Sequence, residues 1–97
     1  MTTSAERALW LFPAGISNGE FGLPAEKLVV IERGDGCRLW DTAGREYLDF
    51  SLGWGSCLVG HARPEVVEAV VKQATYGSNF AYLNTHALAL AEEIARV

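Results

Sequence analysis

Hydrophobic and polar positions first separate along the chain in residues 4 to 12, Ser-Ala-Glu-Arg-Ala-Leu-Trp-Leu-Phe. This run sets Leu9, Trp10 and Phe12 on an apolar side. The pattern predicts a short helix capped by Ser4, with Glu6 and Arg7 in its first turn. Residues 13 to 24 hold three glycines and two prolines and carry no period, which predicts a loop. From 27 to 51 the pattern changes to short β-branched or alternating runs: Leu28-Val29-Val30-Ile31, Cys37-Arg38-Leu39-Trp40 and Tyr47-Leu48-Asp49-Phe50. Gly34-Asp35-Gly36 and Asp41-Thr42-Ala43-Gly44 separate them, and the second suits a type I turn followed by a glycine bulge. The expected element is a three-stranded antiparallel meander whose charged residues lie on solvated faces.

Residues 52 to 63 form a loop around Gly53-Trp54-Gly55 that ends at Gly60-His61. Pro64 then stands at the favoured first position of a helix. Val66, Val67, Val70, Val71 and Ala74 make its apolar face, Glu68 and Lys72 form an i,i+4 pair on the other, and Gly77 stops it. A further helix begins at Asn84 or Thr85 and turns Ala87, Leu88, Ala91, Ile94 and Ala95 inward. Its pattern is still running at Val97, which predicts that the fold is completed elsewhere. The fold class expected is therefore α+β as a fragment: an N-terminal helix, the meander, and two helices. All 97 residues are assigned to a single partial domain, divided as 1–26, 27–51, 52–63 and 64–97.

Composition narrows the function. Three Trp, three Tyr and four Phe are more aromatic surface than a 97-residue chain readily encloses. Part of that surface is expected to meet a partner, another subunit or further chain. The net charge is −4 and no basic stripe exists, which argues against nucleic-acid binding. No apolar run approaches the roughly 20 residues of a membrane span. The opening Met-Thr-Thr-Ser-Ala-Glu-Arg lacks the basic and apolar regions of a secretory signal, so a cytoplasmic location is expected. Cys37 and Cys57 are expected to stay reduced there. Cys57 and His61 have a metal-like spacing, but a structural zinc wants paired ligand clusters, and Cys37 and His86 are distant in sequence. No metal site is expected, and Cys57 reads as a buried thiol.

Glycine allows close backbone approach, so a tryptophan between two glycines has room around it. The loop fails as a phosphate cradle. Gly53-Trp54-Gly55 lacks the third glycine of a dinucleotide fingerprint. Gly55 to Gly60 has P-loop spacing, but His61 and Ala62 stand where Lys and Ser or Thr are required. The remaining readings of the loop are a tight structural crossing and a wall of a ligand site.

Several motifs occur in a recognisable order: Phe12-Pro13-x-Gly15, Gly34-Asp35-Gly36, Asp41-x-x-Gly44-x-x-Tyr47-Leu48-Asp49, Trp54-Gly55, and Gly60-His61-x-x-Pro64-x-Val66-x-x-Ala69-Val70. In this order the chain resembles the N-terminal segment of class III, fold-type I, pyridoxal-phosphate-dependent aminotransferases. It is most similar to the glutamate-1-semialdehyde 2,1-aminomutase-like members, over roughly residues 4 to 97. The resemblance implies an α/β parent fold, amino-group transfer between an amine and a carbonyl, small-molecule donors and acceptors, and a homodimer or a complementing chain.

It also implies that this segment contributes to the small domain and to the substrate-pocket wall. Trp54 matches a tryptophan bordering the substrate, and Gly53 stands where those members have a serine. Ser17 and Asn18 match the start of a loop that approaches the substrate. In the aminomutase that loop continues to an arginine for the substrate carboxylate. Here the run is Asn18-Gly19-Glu20-Phe21, and Glu20 would repel a carboxylate. A related amino-acid or amine aminotransferase is thus implied as readily as the aminomutase. Pyridoxal phosphate belongs to the complete parent enzyme, whose phosphate loop, Schiff-base lysine and pyridine-pairing aspartate come later. No catalytic or cofactor-binding residue is assigned to this chain, and alone it is expected to be inactive. The alternatives are a free-standing module that binds a partner or a full-length homologue, and a non-functional truncation.

Overall fold

The structure is a computed structural model that describes residues 3–13 and 24–97. They divide between Arg63 and Pro64 into two compact units. In the first unit, helix α1 spans Ser4–Leu11. Its cap is Thr3 rather than Ser4. Thr3 Oγ1 accepts the Glu6 N–H at 3.1 Å, and the Thr3 N–H donates to Glu6 Oε2 at 2.7 Å. A capping box needs its acid three residues after the cap, and Glu6 fixes that cap at Thr3. A 3-10 turn, Ala25–Lys27, packs against α1.

The meander follows as β1 (Ile31–Asp35), β2 (Arg38–Asp41) and β3 (Glu46–Leu48), antiparallel in the order β1-β2-β3. The expected first strand at Leu28–Ile31 begins later. Ile31 pairs with Asp41 and Arg33 with Trp40, so Glu32 is the extra residue of a bulge and the ladder extends through Gly34 and Asp35. The hairpin turn is accordingly Gly36-Cys37, one position beyond that expected. The second turn is as expected: the Gly44 N–H donates to the Asp41 carbonyl at 3.0 Å, with Gly44 at φ +83°. Arg38 reaches diagonally to Glu46 at 3.2 Å, and the Arg33 guanidinium stacks 3.6 Å above the Trp40 ring.

The centre of this unit is polar. Among the described residues no apolar side chain is fully buried, and Asp41 is the buried residue, 4% exposed. This corrects the expectation that the charges of the meander are solvated. Asp41 Oδ1 accepts the N–H groups of Ala43 and Arg45, and Oδ2 accepts Arg45 Nε and the Tyr47 hydroxyl. A buried carboxylate is stable only when bonded in this way. The Tyr47 bond, and then the backbone bonds, hold its pKa below the usual carboxylate range.

In the second unit, α2 spans Pro64–Ala74 and α3 spans Thr85–Arg96. Asn84 caps α3 by accepting the Ala87 N–H at 3.0 Å. Gln73 Oε1 pairs with His86 Nε2 at 2.9 Å, while Gln73 Nε2 donates to the Gly77 carbonyl at 3.0 Å. Val66, Val67, Val70 and Val71 on α2, and Leu88 and Ile94 on α3, are exposed, so the face expected to turn inward is open. Among the described residues no helix is long and apolar enough to cross a membrane.

Candidate functional site

Leu52, Gly53, Trp54 and Gly55 have φ values of +50°, +61°, +61° and +89° in succession. A left-handed residue other than glycine costs about 1–2 kcal/mol, and two of these four are not glycine. The turn is closed by the Gly55 N–H, which bonds to the Ser51 and Leu52 carbonyls at 3.2 and 3.1 Å. The Cys57 N–H returns to the Leu52 carbonyl at 2.9 Å. Trp54 stands at the outer side of this turn with 79% of its surface exposed. At Gly53 a Cβ would lie 2.7 Å from Ser56 Oγ, which itself donates to the Gly53 carbonyl.

Asp49 holds the turn at its base. Its Oδ1 accepts the Ser51 and Leu52 N–H groups at 2.9 and 3.0 Å, an Asx-type arrangement that starts the reversal. Its Oδ2 meets His61 Nε2 at 2.5 Å. The Asp49 side chain is 5% exposed and that of His61 is 23% exposed. The His61 bond, ahead of the backbone bonds, holds the Asp49 carboxyl below the usual carboxylate range. An ionised carboxylate only accepts, so Nε2 carries a proton and Nδ1 is the acceptor of the neutral ring. Cys57 Sγ lies 3.5 Å from that Nδ1. The three side chains form a line through the two ring nitrogens and do not converge on a common point. Among the described residues no cluster of His, Cys, Asp and Glu could hold a metal ion.

His61 is also sewn to the first hairpin. The Gly36 and His61 backbones exchange N–H···O bonds of 2.9 Å in both directions. The imidazole lies against Gly34, where a Cβ would be 2.8 Å from its Cγ. Loop, hairpin and His61 thus form one fixed body that presents Trp54.

Of the residues singled out in the sequence, Trp54 and Gly53 lie together on this turn. Ser17, Asn18 and Glu20 lie outside the described residues. Sequence reading missed the Asp49–His61–Cys57 line. The spacing of Cys57 and His61 is a signal for it, but neither a metal site nor a buried thiol, the two readings of that spacing, brings in Asp49, and Cys57 is only half-buried.

The class-III aminotransferase family profile matches residues 23–97, and the chain belongs to that family. The glutamate-1-semialdehyde 2,1-aminomutase of Aquifex aeolicus is 35% identical over 92 residues, 93% of this chain and 22% of that protein. The solved structure of an omega-transaminase from Sphaerobacter thermophilus superposes with a TM-score of 0.76 at 34% identity, over 92% of this chain and 20% of the other. A structure described as a transaminase with PLP bound gives 0.75 at 29% identity, over 92% of this chain and 21% of the other. The chain therefore spans about a fifth of the length of these relatives, and its fold corresponds to part of the fold-type I architecture.

The family is pyridoxal-phosphate dependent. The described residues do not fit that cofactor. Lys27 and Lys72, the chain's two lysines, are both exposed, whereas a Schiff-base amine needs a desolvated setting. A hollow of about 340 Å³ beside α1, lined by Glu6, Glu26, Asp41 and Arg45 among others, contains neither lysine.

Proposed function

We propose that this chain forms part of the small domain and one wall of the substrate pocket in a pyridoxal-phosphate-dependent class III aminotransferase or glutamate-1-semialdehyde 2,1-aminomutase-like enzyme. Such an enzyme moves an amino group between an amine and a carbonyl. The observation that carries the reading is Trp54: a large ring, 79% exposed, kept at φ +61° on a turn that Asp49 and His61 clamp. Strain of this kind concentrates at ligand-facing positions.

In this role Trp54 offers an aromatic plane to the substrate, Gly53 leaves space beside it, and the Asp49–His61 clamp keeps the plane still. Ser17, Asn18 and Glu20 complete the wall, and Glu20 disfavours a substrate carboxylate at its position. The Schiff-base lysine and the phosphate site come from outside the chain, through further polypeptide, a complementing chain or a homodimer partner in the cytoplasm. The chain alone is then inactive.

The test is supply in trans. A class III aminotransferase lacking the matching N-terminal fifth regains amino transfer when this chain is added, and Trp54→Ala reduces that recovery. Binding without recovered activity overturns the enzyme reading and favours an interaction module, a second reading that the open valine face of α2 supports. Borohydride reduction of the chain with pyridoxal phosphate is expected to yield no stoichiometric adduct at Lys27 or Lys72.

A further inference from the structure

We propose that Cys57 is a nucleophilic thiol served by the His61–Asp49 pair, and a site for covalent addition of α,β-unsaturated carbonyl compounds. A nucleophile within reach of a base, with the base oriented by a third group, is the arrangement that activates a weak nucleophile. Here the sulfur lies 3.5 Å from His61 Nδ1, and the opposite ring nitrogen is held by Asp49 Oδ2. The ionised carboxylate selects the tautomer whose Nδ1 lone pair faces the thiol. It also stabilises the imidazolium formed when the proton moves. Cys57 is half-buried, and its neighbours Ser56 and Leu58 are exposed.

The step balances without a further reactant. The sulfur lone pair forms an S–C bond to the β-carbon, and the C=C π pair shifts to the α-carbon. The thiol proton passes to His61 Nδ1 and from there to the α-carbon, leaving a thioether and a neutral ring. Nothing is oxidised or reduced, and no group leaves. The inference rests on the side-chain line alone and stands or falls independently of the pocket-wall reading.

Cys37, exposed and on the hairpin turn, serves as the internal comparison. The full chain is treated with acrylamide at neutral pH, and adducts at each cysteine are followed by peptide mass spectrometry, folded and in urea. A positioned base supplies about 10²–10⁴-fold, and half-burial of Cys57 offsets part of it, so folded Cys57 is expected to react at least about tenfold faster than the same residue in urea. Cys37 lies beside the Arg38 guanidinium but has no histidine base, and its folded-to-urea rate ratio is expected to stay well below that of Cys57. His61→Gln is expected to remove the acceleration. A folded Cys57 that reacts no faster than the unfolded one overturns the proposal, as does a His61→Gln chain that keeps the fast rate. Should the variant fail to fold, the comparison of the unmutated chain, folded and in urea, decides alone.

Discussion

Asp49 and His61, twelve residues apart in sequence, share a 2.5 Å contact that closes the Trp54 loop onto the end of the meander. The same carboxylate starts the loop through the Ser51 and Leu52 amides. One side chain therefore holds both ends.

Asp49→Asn leaves Oδ1 as an acceptor but sets an amide nitrogen against the proton on His61 Nε2. Hydrogen exchange at the Gly55, Cys57 and His61 amides is expected to speed up by roughly fivefold or more, the equilibrium factor of about one net hydrogen bond. Exchange in the β1–β2 ladder should change less. Equal acceleration everywhere would mean that Asp49 supports the whole unit rather than the loop.

Gly34→Ala places a methyl 2.8 Å from His61 Cγ and 3.0 Å from Leu39 Cδ2. Leu39 Cδ2 can swing aside, but the His61 ring is held by Asp49 and its Cβ is 2.9 Å away, so the seam has to open. Overpacking of this kind costs about 1–3 kcal/mol. The urea midpoint should fall and the Gly36 and His61 amides should lose protection. An unchanged midpoint would show that the hairpin yields without loss.

Trp54→Gly removes a left-handed non-glycine residue and a ring that is 79% exposed. The relieved strain and the added chain entropy nearly offset each other, so stability is expected to stay within about 1 kcal/mol. Recovery of amino transfer in trans should nevertheless fall. A large loss of stability would mark Trp54 as a packing residue instead.

Gly53→Ser puts a side chain on the most crowded left-handed glycine of the Trp54 turn. At φ +61°, with Ser56 Oγ 2.7 Å from the new Cβ, it should cost about 1–3 kcal/mol in denaturant titration. A neutral outcome would indicate that the turn rearranges readily.

The Tyr47–Asp41 bond fails at both ends of the pH scale. Asp41 is held below its ordinary range, so its contribution is full above about pH 4 and is lost as pH falls through the folded value. Tyr47 is raised above its ordinary value by the same bond. Its contribution is full below about pH 10 and is lost as pH rises through the folded value. Tyr47→Phe should flatten the alkaline edge and soften the acid one, read by stability against pH. Asp49, held down by His61, keeps part of the acid edge in that variant.

The meander and the helices were legible because they depend on neighbours in sequence. Alternation marked the strands, Asp41 and Gly44 marked the second turn, and Asn84 marked the start of α3. The bulge at Glu32 was not legible, since nothing local distinguishes Leu28–Ile31 from a strand. The ladder begins instead where Ile31 meets Asp41. The burial of Asp41 escaped because alternation assigns a face without revealing which polar groups converge on it. Trp54 was visible from its flanking glycines. The clamp beneath it was not, because it joins residues 36, 49, 57 and 61 through contacts that no short period encodes.

The buried centre of the first unit is a carboxylate with its donors, and no apolar side chain is fully buried among the described residues. Uncovering apolar surface raises heat capacity on melting, and uncovering polar surface lowers it. This unit should therefore melt with a small heat-capacity step and a flat stability curve. Its cohesion varies little with cooling and strongly with the ionisation of two aspartates, Asp41 and Asp49.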